Sequence, residues 1–271
     1  MAAVLGTNIA SIWASKNLQT AQSSMASSVE RLSSGLRINR GKDDAAGLAI
    51  ANTLTQQING ANQGIKNLND GVSIVQTADG ALAAVTEMAQ RLVTIGTQAA
   101  SGVLSTEQYT ALKTEADGLL AAMDNIVTRT KFSGTALFGA DAITISSSNE
   151  SGDTIEIDTD ALADFTANAP SIDDLADITD GQTLADDAGD FLVDISQQRA
   201  ALGSLQNQLE FAINNVTDLS SNLSAARSRV IDTDYASETA SLTKGQILQQ
   251  AATAMLAQAN QMPNVILSLL K

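Results

Sequence analysis

The chain has 271 residues, 44% of them hydrophobic but only 3% aromatic, with one Trp, two Tyr, two Pro and neither Cys nor His. Disulfides, thiolate nucleophiles, imidazole bases and Cys/His metal sites are thereby excluded, and the shortage of aromatics argues against a large globular core. The net charge of −15 is uneven: residues 1–131 carry ten acids and ten bases, residues 199–271 five of each, and residues 132–198 fifteen acids and no base. An acidic middle repels phosphates and keeps a particle soluble, so nucleic acid is not an expected partner.

The first element expected is an amphipathic helix reaching to about residue 40. Leu18, Met25 and Leu32 hold one seven-residue phase, and Val29 and Leu36 hold another. The opening MAAVLGTNIASIWAS has no charged stretch before an apolar run, so a standard secretory signal is not expected. No run approaches the roughly 18 apolar residues of a membrane span. Trp13 is a candidate membrane anchor or an interface contact. The second reading is favoured, because Lys16 is the only base before Arg31. Gly35, Gly41 and Gly47 interrupt the helical pattern, but Lys42 is followed by Asp43 where a phosphate loop needs Ser or Thr.

From about 43 to 130 the pattern predicts a long helix and a shorter antiparallel one, turning near Ser101–Gly102. Ile58, Ile65 and Val72 run beside Ala61, Leu68, Val75, Leu82 and Ala89. Tyr109, Leu112, Ala116, Leu119, Met123 and Ile126 form the second seam. Ser105 and Gln108 have capping-box spacing in front of it.

The period changes after residue 131. Ala142–Ile145 and Thr154–Ile157 are expected to be two short strands flanking SSSNESGD. A weak helix is expected near Pro170–Ser171, with Asp173 and Asp174 in its first turn. Ser146, Ser147 and Ser148 are candidate O-glycosylation acceptors, against the alternative of a plain polar turn. Asp153, Glu156, Asp158 and Asp160, and then Asp173, Asp174, Asp177 and Asp180, are best taken as solvated acidic faces. Neither cluster has the spacing of a calcium loop, and a carboxylate pair for hydrolysis would want sugar-stacking aromatics that are absent nearby. No metal, cofactor or catalytic residue is therefore expected.

From about Thr183 the chain is expected to be helical to its end, with a break near Asp232–Asp234 and a local disturbance at Pro263. Ile195, Leu202, Leu209, Val216, Leu223 and Val230 recur every seven residues, with Leu205, Ala212, Leu219 and Ala226 between them. This is a coiled-coil seam about 50 Å long at about 1.5 Å per residue. Leu248, Ala252, Met255, Ala259, Met262, Ile266 and Leu269 repeat the alternation. Stripes so narrow need partners. A chain that leaves by helix, turns through β structure and returns by helix brings both ends together. The expected fold is mainly α: long antiparallel helices in a coiled-coil-like bundle with a small β-hairpin and paired terminal helices.

Several stretches resemble one family closely. SVERLSSGLRIN (Ser28–Asn39), KDDAAGLAIA (Lys42–Ala51) and LNDGVSIVQTADGAL (Leu68–Leu82) are similar to bacterial flagellins. So are QRAALGSLQNQLEFAINNV (Gln198–Val216), NLSAARSRVIDTDYASETASLTKGQILQQA (Asn222–Ala251) and AMLAQANQMPNVILSLL (Ala254–Leu270). Residues of about 140–182 have no strong match.

The resemblance implies a short flagellin: a structural, non-enzymatic subunit that self-assembles into the extracellular flagellar filament, the helical propeller of motility. It implies an inner-tube domain from residues 1–40 and 236–271 and an outer-tube domain from 43–140 and 183–235, with 141–182 as a short acidic variable region. The self-assembly seams would be Leu18, Met25, Leu32, Leu248, Met255, Met262 and Leu269. Further implied partners are the flagellar cap and hook-junction proteins, an export chaperone and the flagellar type III apparatus, which needs no cleaved signal.

The animal innate flagellin receptor is a further implied partner, with Arg91, Ile95 and Glu115 as candidate contacts. Here Val93 and Thr94 stand where strongly recognised flagellins carry a second Arg and a Glu. The alternative within the superfamily is a hook–filament junction protein, which would not propagate a filament. A different class is a secreted monomeric ligand or adhesin, whose termini would resist proteolysis in dilute solution.

Overall fold

The computed structural model describes residues 7–138, 142–148, 152–157, 170 and 176–269, and for Ile178 and residues 262–269 the backbone alone. Five helices and two small hairpins follow in the order α1 (Ile9–Ser34), α2 (Ala45–Ala99), α3 (Thr106–Arg129), β1 (Lys131–Phe132), β2 (Thr135–Ala136), β3 (Ile143–Ser146), β4 (Thr154–Ile157), α4 (Ile178–Ile231) and α5 (Tyr235–Leu269). The mainly α architecture, the paired terminal helices and the β3–β4 hairpin are as the periodicity implies. The weak helix expected from residue 171 lies outside the described residues. β1 and β2 form a second, shorter hairpin. They are joined by Ser133 and Gly134, both with positive φ (50° and 90°), in a two-residue hairpin turn.

The chain divides into two compact units, residues 1–56 with 222–271, and residues 57–221. In the second unit α2, α3 and α4 surround one core. Leu68, Val75, Leu82, Leu92 and Ile95 of α2 pack with Ala116 and Met123 of α3 and with Leu184, Phe191, Ile195, Leu202 and Leu209 of α4. α2 and α4 are antiparallel: Gly96 meets Gly181 and Ala185, Asp79 pairs with Arg199 at 2.8 Å, Gly71 meets Leu209, and Asn62 accepts from Ser220.

α3 returns along α2 behind its capping box. Ser105 accepts from the Gln108 N–H while the Gln108 side chain accepts from the Ser105 N–H. The buried Tyr109 hydroxyl then donates to the Ala99 carbonyl at 3.0 Å, closing the turn. α4 begins on its own acidic residues. Asp177 Oδ1 accepts from the N–H groups of Thr179 and Asp180, and Asp180 Oδ2 from those of Ala176 and Asp177. The second acidic cluster thus supplies helix capping; Asp158, Asp160, Asp173 and Asp174 lie outside the described residues.

The β3–β4 hairpin pairs Ile143 with Ile157 and Ser146 with Thr154. It lies on α2 over a seat of two glycines one heptad apart, with Gly64 under Ser147 and Gly71 under Ile145. Between them the Asn67 side chain donates to the Ser146 carbonyl at 3.1 Å.

Candidate assembly interface

The terminal unit is built on a helix pair with an unusually small-residue seam. Ala14, Ala21 and Ser28 of α1 are buried, as are Gly245, Ala252 and Ala259 of α5, each set at intervals of seven. Small side chains at every seventh position let two helices approach closely. A Cβ added at Gly245 would lie 3.5 Å from Met25 Cβ and 3.9 Å from the Ala21 carbonyl oxygen. The larger residues then cannot sit on the axis of contact. Leu18, Met25 and Leu32 on α1, with Leu242 and Leu256 on α5, are half-buried flanks.

This register divides the sequence-derived seam. Ala252 and Ala259 do face α1, but Leu248 and Met255 are turned out and are 49% and 65% exposed. The physical reason is the small-residue contact: it rotates α5 so that its glycine and alanines, not its long apolar side chains, meet α1. Pro263 does not end the helix, since α5 continues through it to Leu269. The side chains of Met262 and Leu269 lie outside the description.

Two adjoining grooves along the α1–α5 pair, which share Thr20, Ser24 and Ser241, differ in chemistry. One groove has a floor of Ala14, Ala21, Ala252 and Ala259 and carries Trp13, Leu248 and Met255, with Thr20, Ser24 and Lys244 among its polar lining. Trp13 is 60% exposed, and the Lys16 ammonium lies 5.7 Å from its ring centroid, within cation–π range. The other groove is polar, lined by Lys16, Gln19, Ser23, Ser27, Arg31 and Glu238, with Arg31 and Glu238 paired at 3.7 Å.

Where α1 ends, Gly35 adopts φ 71° and its N–H bonds back to the Arg31 carbonyl, a left-handed C-cap. The chain then pairs with the α4–α5 joint. Leu36 bridges Asp232, the Arg37 N–H donates to the Ile231 carbonyl at 2.6 Å, and the Thr233 N–H donates to the Gly35 carbonyl at 2.9 Å. Asp234 opens α5 by accepting from the Ala236 N–H, and Asp44 opens α2 by accepting from the Gly47 N–H, each at 2.9 Å. Asp43 Oδ2 accepts from the N–H groups of Asn39 and Arg40. These bonds, the Arg40 one first, hold its carboxyl below the usual value, partly offset by burial and aided by Lys42 and Arg31.

The family is settled at both ends of the chain. The model of the bacterial flagellin N-terminal helical region matches residues 5–142, and that of the bacterial flagellin C-terminal helical region matches residues 186–270. The chain belongs to the bacterial flagellin family. It is 37% identical to a flagellin of Halalkalibacterium halodurans, over 99% of this chain and all of that one. It is 35% identical to the flagellar filament 33 kDa core protein of Treponema phagedenis, over 99% of this chain and all of that one. With a Bacillus subtilis flagellin the identity is 35% over 97% and 98% of the two chains. The crystal structure of Bacillus cereus flagellin is similar with a TM-score of 0.51 and 28% identity, covering 60% of this chain and 94% of that one. As a flagellin the chain is a structural subunit of the extracellular flagellar filament and self-assembles into it.

The remaining candidate residues of this flagellin fall as follows. Ile195, Leu202 and Leu209 are buried in the core, while Val216, Leu223 and Val230 are half-buried. Arg91 and Glu115 are exposed and paired at 2.7 Å between α2 and α3, whereas Ile95 is fully buried and presents no surface. The hydroxyls of Ser146, Ser147 and Ser148 donate to the Ser148 carbonyl, the Asp153 carbonyl and Asp153 Oδ2. Among the described residues no helix is long and apolar enough to cross a membrane, and no group of three or more carboxylates is placed to hold a metal ion. The Gly64–Asn67–Gly71 hairpin seat was missed from sequence, although two glycines seven apart inside a helical pattern are a usable signal for close backbone approach.

Proposed function

We propose that the α1–α5 pair is the main assembly interface of this flagellin, its apolar groove and exposed flank packing against other copies of the chain. The observation that carries this reading is the outward display of Trp13, Ile247, Leu248 and Met255 on a helix pair whose own seam is already filled by small residues. Apolar side chains of that size left in water favour association, at about 25 cal/mol per Å² removed from solvent. On this reading residues 1–40 and 236–271 form the inner tube, and residues 43–140 with 183–235 form the outer tube. The acidic stretch 141–182 supplies a soluble outer region, while Leu18, Met25, Leu32, Leu248, Met255, Met262 and Leu269 contribute to packing within and between copies. Cap and hook-junction proteins, an export chaperone and the flagellar type III apparatus would act on the same terminal segments. The test is negative-stain electron microscopy of the full chain after seeding, beside a copy lacking residues 236–271. Long uniform filaments from the full chain only support the reading, and a full chain that stays monomeric on seeds overturns it.

A second role rests on Arg91. Its guanidinium is engaged by Glu115, and Val93 and Thr94 offer no charge beside it. We infer that the animal innate flagellin receptor recognises this chain weakly, for want of charge-assisted contacts. A receptor-reporter assay as potent as that of a strongly stimulatory flagellin would overturn this.

A further inference from the structure

Of the methionines whose side chains are described, Met123 is buried, Met25 and Met88 are half-buried, and Met255 is 65% exposed. The chain has no cysteine to consume oxidants first. A thioether is soft and polarisable, and its susceptibility to two-electron oxidants follows exposure. Met255 also sits in a telling place. It lines the apolar groove with Trp13, Ala14, Leu248, Ala252 and Ala259.

We propose that Met255 is an oxidative modification site whose sulfoxide blocks incorporation of the subunit. This rests on the reading of the α1–α5 groove as the assembly interface. The reactant is a hydroperoxide such as hydrogen peroxide. The Met255 sulfur lone pair attacks one peroxide oxygen, an S–O bond forms as the O–O bond breaks, and the departing hydroxide takes the proton of the transferred oxygen. Sulfur is oxidised by two electrons, and the peroxide is reduced to water. The product carries a strong acceptor on a chiral, polar sulfur, and packing it into an apolar contact leaves that acceptor unpaired. Free subunits would thus be screened at the point of docking. Once docked, the same packing would shield the thioether.

The experiment is a partition assay on the full chain. Purified subunit is oxidised to about half completion with hydrogen peroxide and allowed to elongate on filament seeds. Sulfoxide at each methionine is then mapped by peptide mass spectrometry in the pelleted filaments and in the supernatant. The expected result is oxidation of Met255 ahead of Met25, Met88 and Met123, with its sulfoxide depleted about tenfold in the pellet, the exclusion that an unpaired polar group in an apolar contact entails. Met88 and Met123 sulfoxides should show no such depletion. Met255→Leu should elongate equally before and after peroxide, and methionine sulfoxide reductase should return oxidised wild-type subunit to the pellet. Equal Met255 sulfoxide in both fractions, or a Met255→Leu chain as sensitive as wild type, overturns the proposal. If untreated subunit gives no pellet at all, the assembly-interface reading fails first and takes the proposal with it.

Discussion

The Asn8 side chain donates a hydrogen bond of 2.7 Å to the carbonyl of Ala259, 251 residues away. That carbonyl is the one Pro263 cannot serve, because in a helix it would accept from the N–H four residues on and proline has none. The same side chain caps α1 through Oδ1, which accepts from the Ser11 N–H at 3.1 Å. One asparagine therefore starts the first helix and repairs the last, and the repair explains in part how α5 passes through Pro263 unbroken. Asn8→Ala should lose both bonds and cost the terminal helix pair about 1–2 kcal/mol. Asn8→Asp keeps the cap acceptor but not the donor. Its cost should shrink when Pro263 is replaced by Ala, which restores the intrahelical bond. A double-mutant cycle followed by thermal melting checks this, and additivity of Asn8→Asp with Pro263→Ala would rule the relationship out.

Glycines inside the helices divide into two kinds, and the division is measurable. A Cβ at Gly64 would fall 1.7 Å from the Ser147 carbonyl oxygen and 2.4 Å from its carbon. Gly64→Ala should therefore lift the β3–β4 hairpin from α2 despite the better helix propensity of alanine. Gly118 is exposed, and an added Cβ there would meet nothing within 4 Å. Gly118→Ala should stabilise the soluble chain by about 0.5–1 kcal/mol. Opposite signs of the shift in Tm are expected, with faster amide exchange of Ser147 only in the Gly64 variant.

Which parts of this architecture were open to sequence reading follows from side-chain size. Ile195, Leu202 and Leu209 announce their seam because large aliphatic residues at a strict period of seven have no other use, and all three are buried. The terminal pair is different. Leu248 and Met255 obey the same period yet point outward, because Gly245, Ala252 and Ala259 obey it too and win the closer contact. A count of apolar residues gives glycine and alanine little weight, although they decide how near two backbones come. The Ser133–Gly134 turn and its two-residue strands are too short for any periodicity to reveal. The bridge between Leu36 and Asp232 joins residues almost 200 positions apart, and only topology brings them together.

The turn before α2 should respond to acid. The Asp43 carboxyl is held below its ordinary value by the Arg40 N–H first, against burial, and then by the Asn39 N–H, Lys42 and Arg31. The folded state thus binds the proton less readily than the unfolded one. The contribution of Asp43 is present above the unfolded value of roughly 4 and is lost as pH falls through the lower folded value. Amide exchange of Asn39 and Arg40 should accelerate through that acid range. Asp43→Asn should flatten the change while Glu107, whose carboxyl is also lowered at the start of α3, continues to titrate. An unchanged acid profile in Asp43→Asn would remove Asp43 from the account.

The small-residue seam makes a graded prediction about α1 and α5. At Gly245 a methyl group meets Met25 Cβ at 3.5 Å, an ordinary contact distance, so Gly245→Ala should fit and gain up to about 1 kcal/mol of helix propensity. Gly96 offers no such room, since a Cβ there would lie 2.6 Å from the Ala185 nitrogen and 2.8 Å from the Gly181 carbonyl oxygen, both backbone atoms. Gly96→Ala must move α4 and should cost about 1–3 kcal/mol. At Ala252, buried opposite α1, leucine adds three carbons to a contact that has space for one methyl. Ala252→Leu should force the helices apart and cost about 1–3 kcal/mol. The resulting order of stability, Gly245→Ala above wild type and both Gly96→Ala and Ala252→Leu below it, can be read from denaturant midpoints. A destabilised Gly245→Ala or a neutral Ala252→Leu would mean that α1 and α5 meet through their large flanking residues instead.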